Sequence, residues 1–307
     1  MQTARLRTTV CGLHFQNPIL LAAGTAAYGR ELDGVSDLNA LGGIVTKAVS
    51  AEPRSGAPAP RVAEFEGGMI NAVGLANPGV EKARAEDLPW LAANLKNTRV
   101  IVNIVGSRVE DFAEVVSKLE DTAVDAYELN VSCPNTKQGG TEFGADNSVV
   151  SDLVARVRAV TKRPLFVKLS PTLRDIGATA KTAIDAGGDA ITVINTIPGM
   201  LIDTETRKPQ LGFGTGGVSG PGLLPVGLLA TWKVRKAVTS PVLGVGGITS
   251  AQDVLQYFLA GASLVAVGTA ALRDPRLPAR IVRDLEAWCS AHGVIKLSDI
   301  TGELQWQ

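Results

Sequence analysis

Residues 185–193 read DAGGDAITV, and residues 259–267 read LAGASLVAV. Each stretch ends a helical segment on Ala-Gly and passes at once into an apolar run rich in β-branched residues. Glycine suits the end of a helix because it takes up the positive φ needed there. A near-continuous apolar run marks a strand buried on both faces. Working outward, the same unit recurs along the chain. Strands are predicted at 19–23, 43–47, 99–104, 125–130, 164–169, 189–194, 241–245 and 262–267. Amphipathic stretches lie at 32–40, 81–96, 108–120, 148–161, 174–186, 223–239, 250–260 and 276–291. Their apolar residues fall three and four apart, as in Phe112, Val115, Val116 and Leu119. Eight strands alternating with helices read as an α/β fold, a closed (β/α)8 TIM barrel, in preference to an open doubly wound sheet.

The length of 307 residues accommodates one such barrel, of about 250 residues, with insertions. No linker splits the chain, so 1–307 reads as a single domain. Residues 48–80 and 195–222 are too long for simple connections and are rich in Gly, Pro and Asn. Together with the loop after strand 4 they make active-site insertions after strands 2, 4 and 6, at the C-terminal ends where barrels place their chemistry. Thirty Lys and Arg balance thirty Asp and Glu. Zero net charge removes the electrostatic footprint of a nucleic-acid or anionic-membrane binder. Three scattered cysteines, Cys11, Cys133 and Cys289, provide neither a disulfide framework nor the ligands of an iron–sulfur cluster. The expected setting is reducing and cytoplasmic. The uncharged stretches 8–29 and 209–232 are too broken by Pro, Gly and polar residues to act as a signal or a membrane span.

Reading the strand ends in order brings Ala23, Lys47, Asn103, Asn130 with Cys133, Lys168, Asn195 with Thr196, Gly246-Gly247 and Gly268-Thr269 to one mouth. No histidine or carboxylate pair is among them, which argues against a Ser-His-Asp triad and a catalytic metal. The glycine turns after strands 7 and 8 suit a phosphate, because backbone N–H groups without a Cβ can approach it closely. Tight turns alone would also call for these glycines. Two lysines ending strands 2 and 5 either snorkel from the barrel end or face a ligand. A flavin would suit them, since its reduced ring carries negative charge. Cys133 lies in Asn130-Val-Ser-Cys-Pro-Asn135 on the loop leaving strand 4. A thiol with a pKa near ~8.5 serves as a general base once slightly activated. Cys11 and Cys289 read as buried, inert thiols.

Longer motifs run from end to end: Asn17-Pro18, TKAVSAEPRSG at 46–56, NAVGLANPG at 71–79, ELNVSCPN at 128–135, VKLSP at 167–171, INT at 194–196, GTGGVSGP at 214–221, GVGGI at 244–248 and VAVGTA at 265–270. With these the whole chain resembles the class 1 dihydroorotate dehydrogenases, most closely the class 1B catalytic subunit. The resemblance implies FMN in the barrel mouth, with contacts from Ala23, Thr46, Lys47, Asn103, Asn130, Lys168, Ile194, Gly220, Gly246, Gly247, Gly268 and Thr269. Ala23 stands where the family often has serine. Orotate would be held by Lys47, Asn71, Ala72, Val73, Gly74, Leu75, Asn130, Asn195 and Thr196. Cys133 takes the place of the catalytic base, removing the C5 proton while the C6 hydride passes to flavin N5.

Class 2 members carry a membrane-associating N-terminal extension and a serine base, whereas this chain starts near the barrel and has Cys133. The VSGPGLLPVG segment at 218–227 resembles class 1B. That class implies a partner subunit carrying FAD and an iron–sulfur cluster, passing electrons to NAD+, around a homodimeric core in a heterotetramer. Class 1A enzymes use fumarate instead. Dihydrouracil-oxidising dehydrogenases share the Cys133 loop, but the NAVGL segment favours a substrate with orotate's carboxylate. A non-catalytic phosphate-binding barrel would have no use for Cys133 and both lysines.

Overall fold

The computed structural model describes residues 4–132 and 142–306. Eight parallel strands close into a barrel: β1 (Ile19–Leu21), β2 (Gly43–Val45), β3 (Arg99–Ile104), β4 (Ala126–Asn130), β5 (Leu165–Leu169), β6 (Ala190–Val193), β7 (Val242–Val245) and β8 (Leu264–Val267). Each pairs with its neighbours in sequence. Closure comes from β8 on β1, with Val265 opposite Ile19 and Val267 opposite Leu21. All eight predicted strands are present. β1 and β2 stop two residues short of the predicted ends: Ala22 and Thr46 still donate to the Val267 and Ile101 carbonyls, and Ala23 and Lys47 line the mouth.

Side chains of one parity along each strand fill the interior. Leu20, Val45, Ile101, Ala126, Phe166, Ala190, Leu243, Leu264 and Ala266 form one buried cluster. The other parity faces the helices and builds the larger core with Phe112, Leu153, Val234, Phe258 and Leu285. The helices Asn147–Arg158, Ile176–Asp185 and Ala251–Leu259 start on Asp146, Asp175 and Ser250, whose side chains accept from backbone N–H groups of the first turn.

A hairpin closes the barrel's lower end. Thr8–Val10 pairs with Leu13–Phe15 across Cys11-Gly12, both with positive φ, as a two-residue turn between twisted strands requires. Val10 and Phe15 pack into the interior cluster. Cys11 thus sits in the turn, and its thiol donates to the Asp189 carbonyl at 3.7 Å.

Three features depart from the sequence reading. The amphipathic stretch 32–40 forms only two short 3-10 turns, Arg30–Leu32 and Leu38–Ala40, because Gly34 at φ 73° reverses the chain between them. A short helix, Thr269–Arg273, follows β8 without having been expected. The insertions after β2 and β6 are also not mere loops. Val62–Phe65 and Gly68–Asn71 join Gly216–Ser219 and Ile197–Gly199 in one antiparallel sheet beside the mouth.

Removing the lower plug should loosen the barrel without altering its upper face. Phe15→Ala, at a side chain 1% exposed, is expected to lower stability by about 3–5 kcal/mol. The reading is a reduced urea midpoint with an unchanged slope, and a midpoint within error of wild type would contradict it.

Candidate active site

The C-terminal ends of the strands open into a cavity of about 420 Å³. Its walls come from strand residues such as Asn103, Asn130 and Lys168, from the turns after β1, β2, β6, β7 and β8, and from the sheet built by the two insertions. The alternation that fills the interior with Leu20, Ile101 and Phe166 lower down brings polar side chains to the same inward positions near the top. Asn103, Glu128, Asn130, Lys168 and Thr192 come from four adjacent strands, and all five are buried. Asn130 stands opposite Lys168, which in turn stands opposite Thr192.

Buried polar groups need partners, and the amides among these find them. Asn103 Nδ2 donates to Glu128 Oε1 at 2.7 Å, which leaves Asn103 Oδ1 to be offered elsewhere. Asn195 Nδ2 donates to Asn130 Oδ1 at 3.3 Å, and the same oxygen accepts from the Ser132 N–H. Asn195 Oδ1 accepts from the Thr196 N–H at 2.8 Å. Thr192 Oγ1 is buried without a partner. Lys168 is only 7% exposed and lines the cavity, where its ammonium makes no ion pair with a described residue.

The opposite side of the cavity is formed by backbone. Gly246 and Gly247 follow β7 with φ of 127° and 73°. A Cβ on Gly247 would stand 2.3 Å from the Leu224 nitrogen, so the loop can follow this path only with glycine there. The N–H groups of Gly247, Ile248, Thr269 and Ala270, all in residues lining the cavity, meet no acceptor among the described residues. Asp253 braces the next turn, accepting from both the N–H and the hydroxyl of Thr249. One wall thus offers unpaired backbone donors to an anion, and the other offers amides and two ammonium groups to a polar ring.

Most of the residues singled out from the sequence meet here. Ala23, Lys47, Asn103, Asn130, Lys168 and Ile194 line the cavity. So do Gly220, Gly246, Gly247, Gly268 and Thr269, and from the insertions Asn71, Val73, Leu75, Asn195 and Thr196. Three stand behind the wall. The Thr46 hydroxyl donates to the Lys47 carbonyl and accepts from the Asn103 N–H, tying the ends of β2 and β3 together. The Ala72 N–H donates to the Arg61 carbonyl, and Gly74 turns tightly against Ala57. Cys133 lies outside the described residues.

Ser219, Met69 and Glu128 belong to the site or its floor and were not singled out. Ser219 accepts a hydrogen bond from the Thr269 hydroxyl at 2.8 Å and lines the cavity. Its position next to Gly220 in VSGP was the available signal. Glu128 lies two residues before Asn130 on a strand, so a period of two places both inward. The other two thiols are remote from the cavity. Burial, reinforced by Asp189, pushes the Cys11 thiol up to about 12, and burial also raises that of the fully enclosed Cys289. No helix among the described residues is long and apolar enough to cross a membrane.

The family model described as dihydroorotate dehydrogenase matches residues 5–288. The chain is 46% identical to the catalytic subunit of dihydroorotate dehydrogenase B (NAD(+)) from Pelobacter propionicus, over 98% of each chain. It is 46% identical to a Solibacter usitatus protein provisionally named dihydroorotate dehydrogenase A (fumarate), over 99% of this chain and all of that one. A further B (NAD(+)) catalytic subunit, from Alkaliphilus metalliredigens, is 44% identical over 99% of this chain and all of the other. A match of this extent, over a barrel whose mouth carries the expected amides and lysines, means that the chain belongs to the dihydroorotate dehydrogenase family.

Proposed function

We propose that this chain, as one domain acting in the cytoplasm, oxidises dihydroorotate to orotate in pyrimidine synthesis as the catalytic subunit of an NAD+-linked enzyme. The observation that carries the reading is the two-sided cavity, with unpaired backbone N–H groups on one wall and buried Lys168, Asn103 and Asn130 on the other. That donor set fits FMN: the N–H groups after β7 and β8 suit its phosphate, and the amides and lysines suit its ring. When bound, FMN supplies the acceptor for the hydride leaving C6 of dihydroorotate.

The chain's own residues do the rest. The Cys133 thiolate takes the proton from C5, so that a C–H bond is lost on each of two adjacent carbons. Asn71, Asn130 and Asn195 pair with the carbonyl and N–H edges of the pyrimidine, which would otherwise be buried without partners. Lys47, with Asn71, Val73 and Leu75 on the cavity wall, meets the carboxylate. Lys168, held in the barrel wall, keeps a fixed positive charge beside the ring. A partner subunit carrying FAD and an iron–sulfur cluster, docked on a homodimeric core of this chain, would supply the route for electrons to NAD+.

An anaerobic visible spectrum before and after L-dihydroorotate tests the reaction. Wild-type protein should show flavin bands that bleach on mixing, and Cys133→Ala should bleach about 10²–10⁴-fold more slowly, as expected for loss of a general base. Bands indifferent to dihydroorotate, or a protein that neither carries nor accepts FMN, would overturn the assignment. The acceptor is tested separately. NAD+ reduction should need the partner subunit, and rapid fumarate reduction by the chain alone would move it to the A type.

Thiol chemistry gives a further check. Only a thiolate alkylates readily, and a pKa raised to about 12 keeps Cys11 protonated through neutral and mildly basic pH. Iodoacetamide at pH 8 should therefore leave Cys11 and Cys289 unlabelled in peptide mass maps while inactivating through Cys133. Cys11 is only half-buried, and rapid labelling there would contradict its raised pKa.

A further inference from the structure

The loop after β7 is held from behind by one side chain. Tyr257, on the helix Ala251–Leu259, is fully buried, and its hydroxyl donates to the Gly246 carbonyl at 2.7 Å. The 246–247 peptide is trans, and in a trans peptide the carbonyl and the following N–H point in opposite directions. Drawing the Gly246 carbonyl toward Tyr257 therefore turns the Gly247 N–H away from it. Gly247 lines the cavity, and its N–H has no acceptor among the described residues.

The surroundings make room for this hydroxyl. A Cβ on Gly227 would stand 1.9 Å from Tyr257 Oη, and one on Gly244 would stand 2.3 Å from the ring. Phenylalanine would fill the ring's space equally well, so packing alone does not account for the oxygen. Burial pushes the hydroxyl's pKa well above the usual tyrosine range, which keeps it a donor at every working pH.

We propose that Tyr257 is a positioning residue for the FMN phosphate: by holding the Gly246 carbonyl, it presents the Gly247 N–H to the anion. The inference rests on the FMN reading above. It differs from general packing in one respect, since only the phosphate end of the ligand should be affected.

The test compares FMN with riboflavin, which shares the ring and ribityl chain but lacks the phosphate. The full chain, freed of flavin, is titrated with each by quenching of flavin fluorescence, for wild type, Tyr257→Phe and Gly227→Ala. Wild type should bind FMN at least about tenfold more tightly than riboflavin, reflecting one or more charge-assisted hydrogen bonds. Tyr257→Phe should lose about five- to tenfold in FMN affinity with riboflavin unchanged, and that unchanged value also reports an intact pocket. Gly227→Ala, which crowds the hydroxyl from the other side, should reproduce the selective loss. Equal losses for both flavins, or a Tyr257→Phe variant that keeps the full preference for FMN, would overturn the proposal. A wild-type chain that binds both flavins alike would overturn the phosphate reading itself, and Tyr257's role with it.

Discussion

Closure of eight parallel strands imposes the constraint from which the rest of this molecule follows. Once β8 pairs with β1, every strand must send alternate residues into a space that has no other exit for them. At the lower end these residues are Leu20, Ile101, Phe166 and Leu243, sealed by Val10 and Phe15 of the hairpin. One or two steps higher the same inward parity delivers Asn103, Glu128, Asn130, Lys168 and Thr192. The chemistry is thus an extension of the core pattern with polar residues substituted in its top layer. A shift of one residue in any strand would send these groups to the helical face.

The amides of that top layer tolerate burial because each has a partner, while Thr192 Oγ1 and the Lys168 ammonium meet none among the described residues. Glu128 takes the Asn103 amide, Asn130 takes that of Asn195, and the main chain of Thr196 takes the remaining oxygen of Asn195. An amide held at one end presents its other end in a fixed orientation, and this preorganisation lowers the cost of binding a ring with matching donors and acceptors. On the facing wall the glycine loop after β7 reaches a similar result through its main chain: Tyr257 and Asp253 brace it from the outside, and the N–H groups of Gly247 and Ile248 meet no acceptor among the described residues.

Much of this was legible in the sequence because barrels are built from local signals. Apolar runs of four to six residues identified all eight strands, and helix-ending glycines such as Gly187 and Gly261 marked where two of them begin. The residues at strand ends were legible for the same reason, since position along a strand fixes height in the barrel. What could not be read depends on distant partners. Strand Gly68–Asn71 meets Gly216–Ser219 nearly 150 residues later, and neither segment has the apolar alternation that would announce it. Glu128 was passed over because a carboxylate inside a barrel becomes reasonable only when the Asn103 amide beside it is known. At 32–40 the helical periodicity was real, but Gly34 gave the chain a cheaper way to turn.

The shared sheet beside the mouth ties two remote stretches of chain to one surface. Because Gly217 and Asn71 are paired across it, neither insertion can be lengthened, trimmed or replaced while the other is left as it is. Variation in this region must come as matched changes in both, and grafting a mouth from a relative means transplanting 48–80 and 195–222 together. The barrel beneath imposes no such strand pairing on its single turns, although Thr269 reaches the same sheet through its hydroxyl bond to Ser219. Evolutionary freedom at this mouth is therefore uneven: the paired strands of the rim change together, and in the floor coupling is limited to hydrogen-bonded pairs such as Asn103 and Glu128.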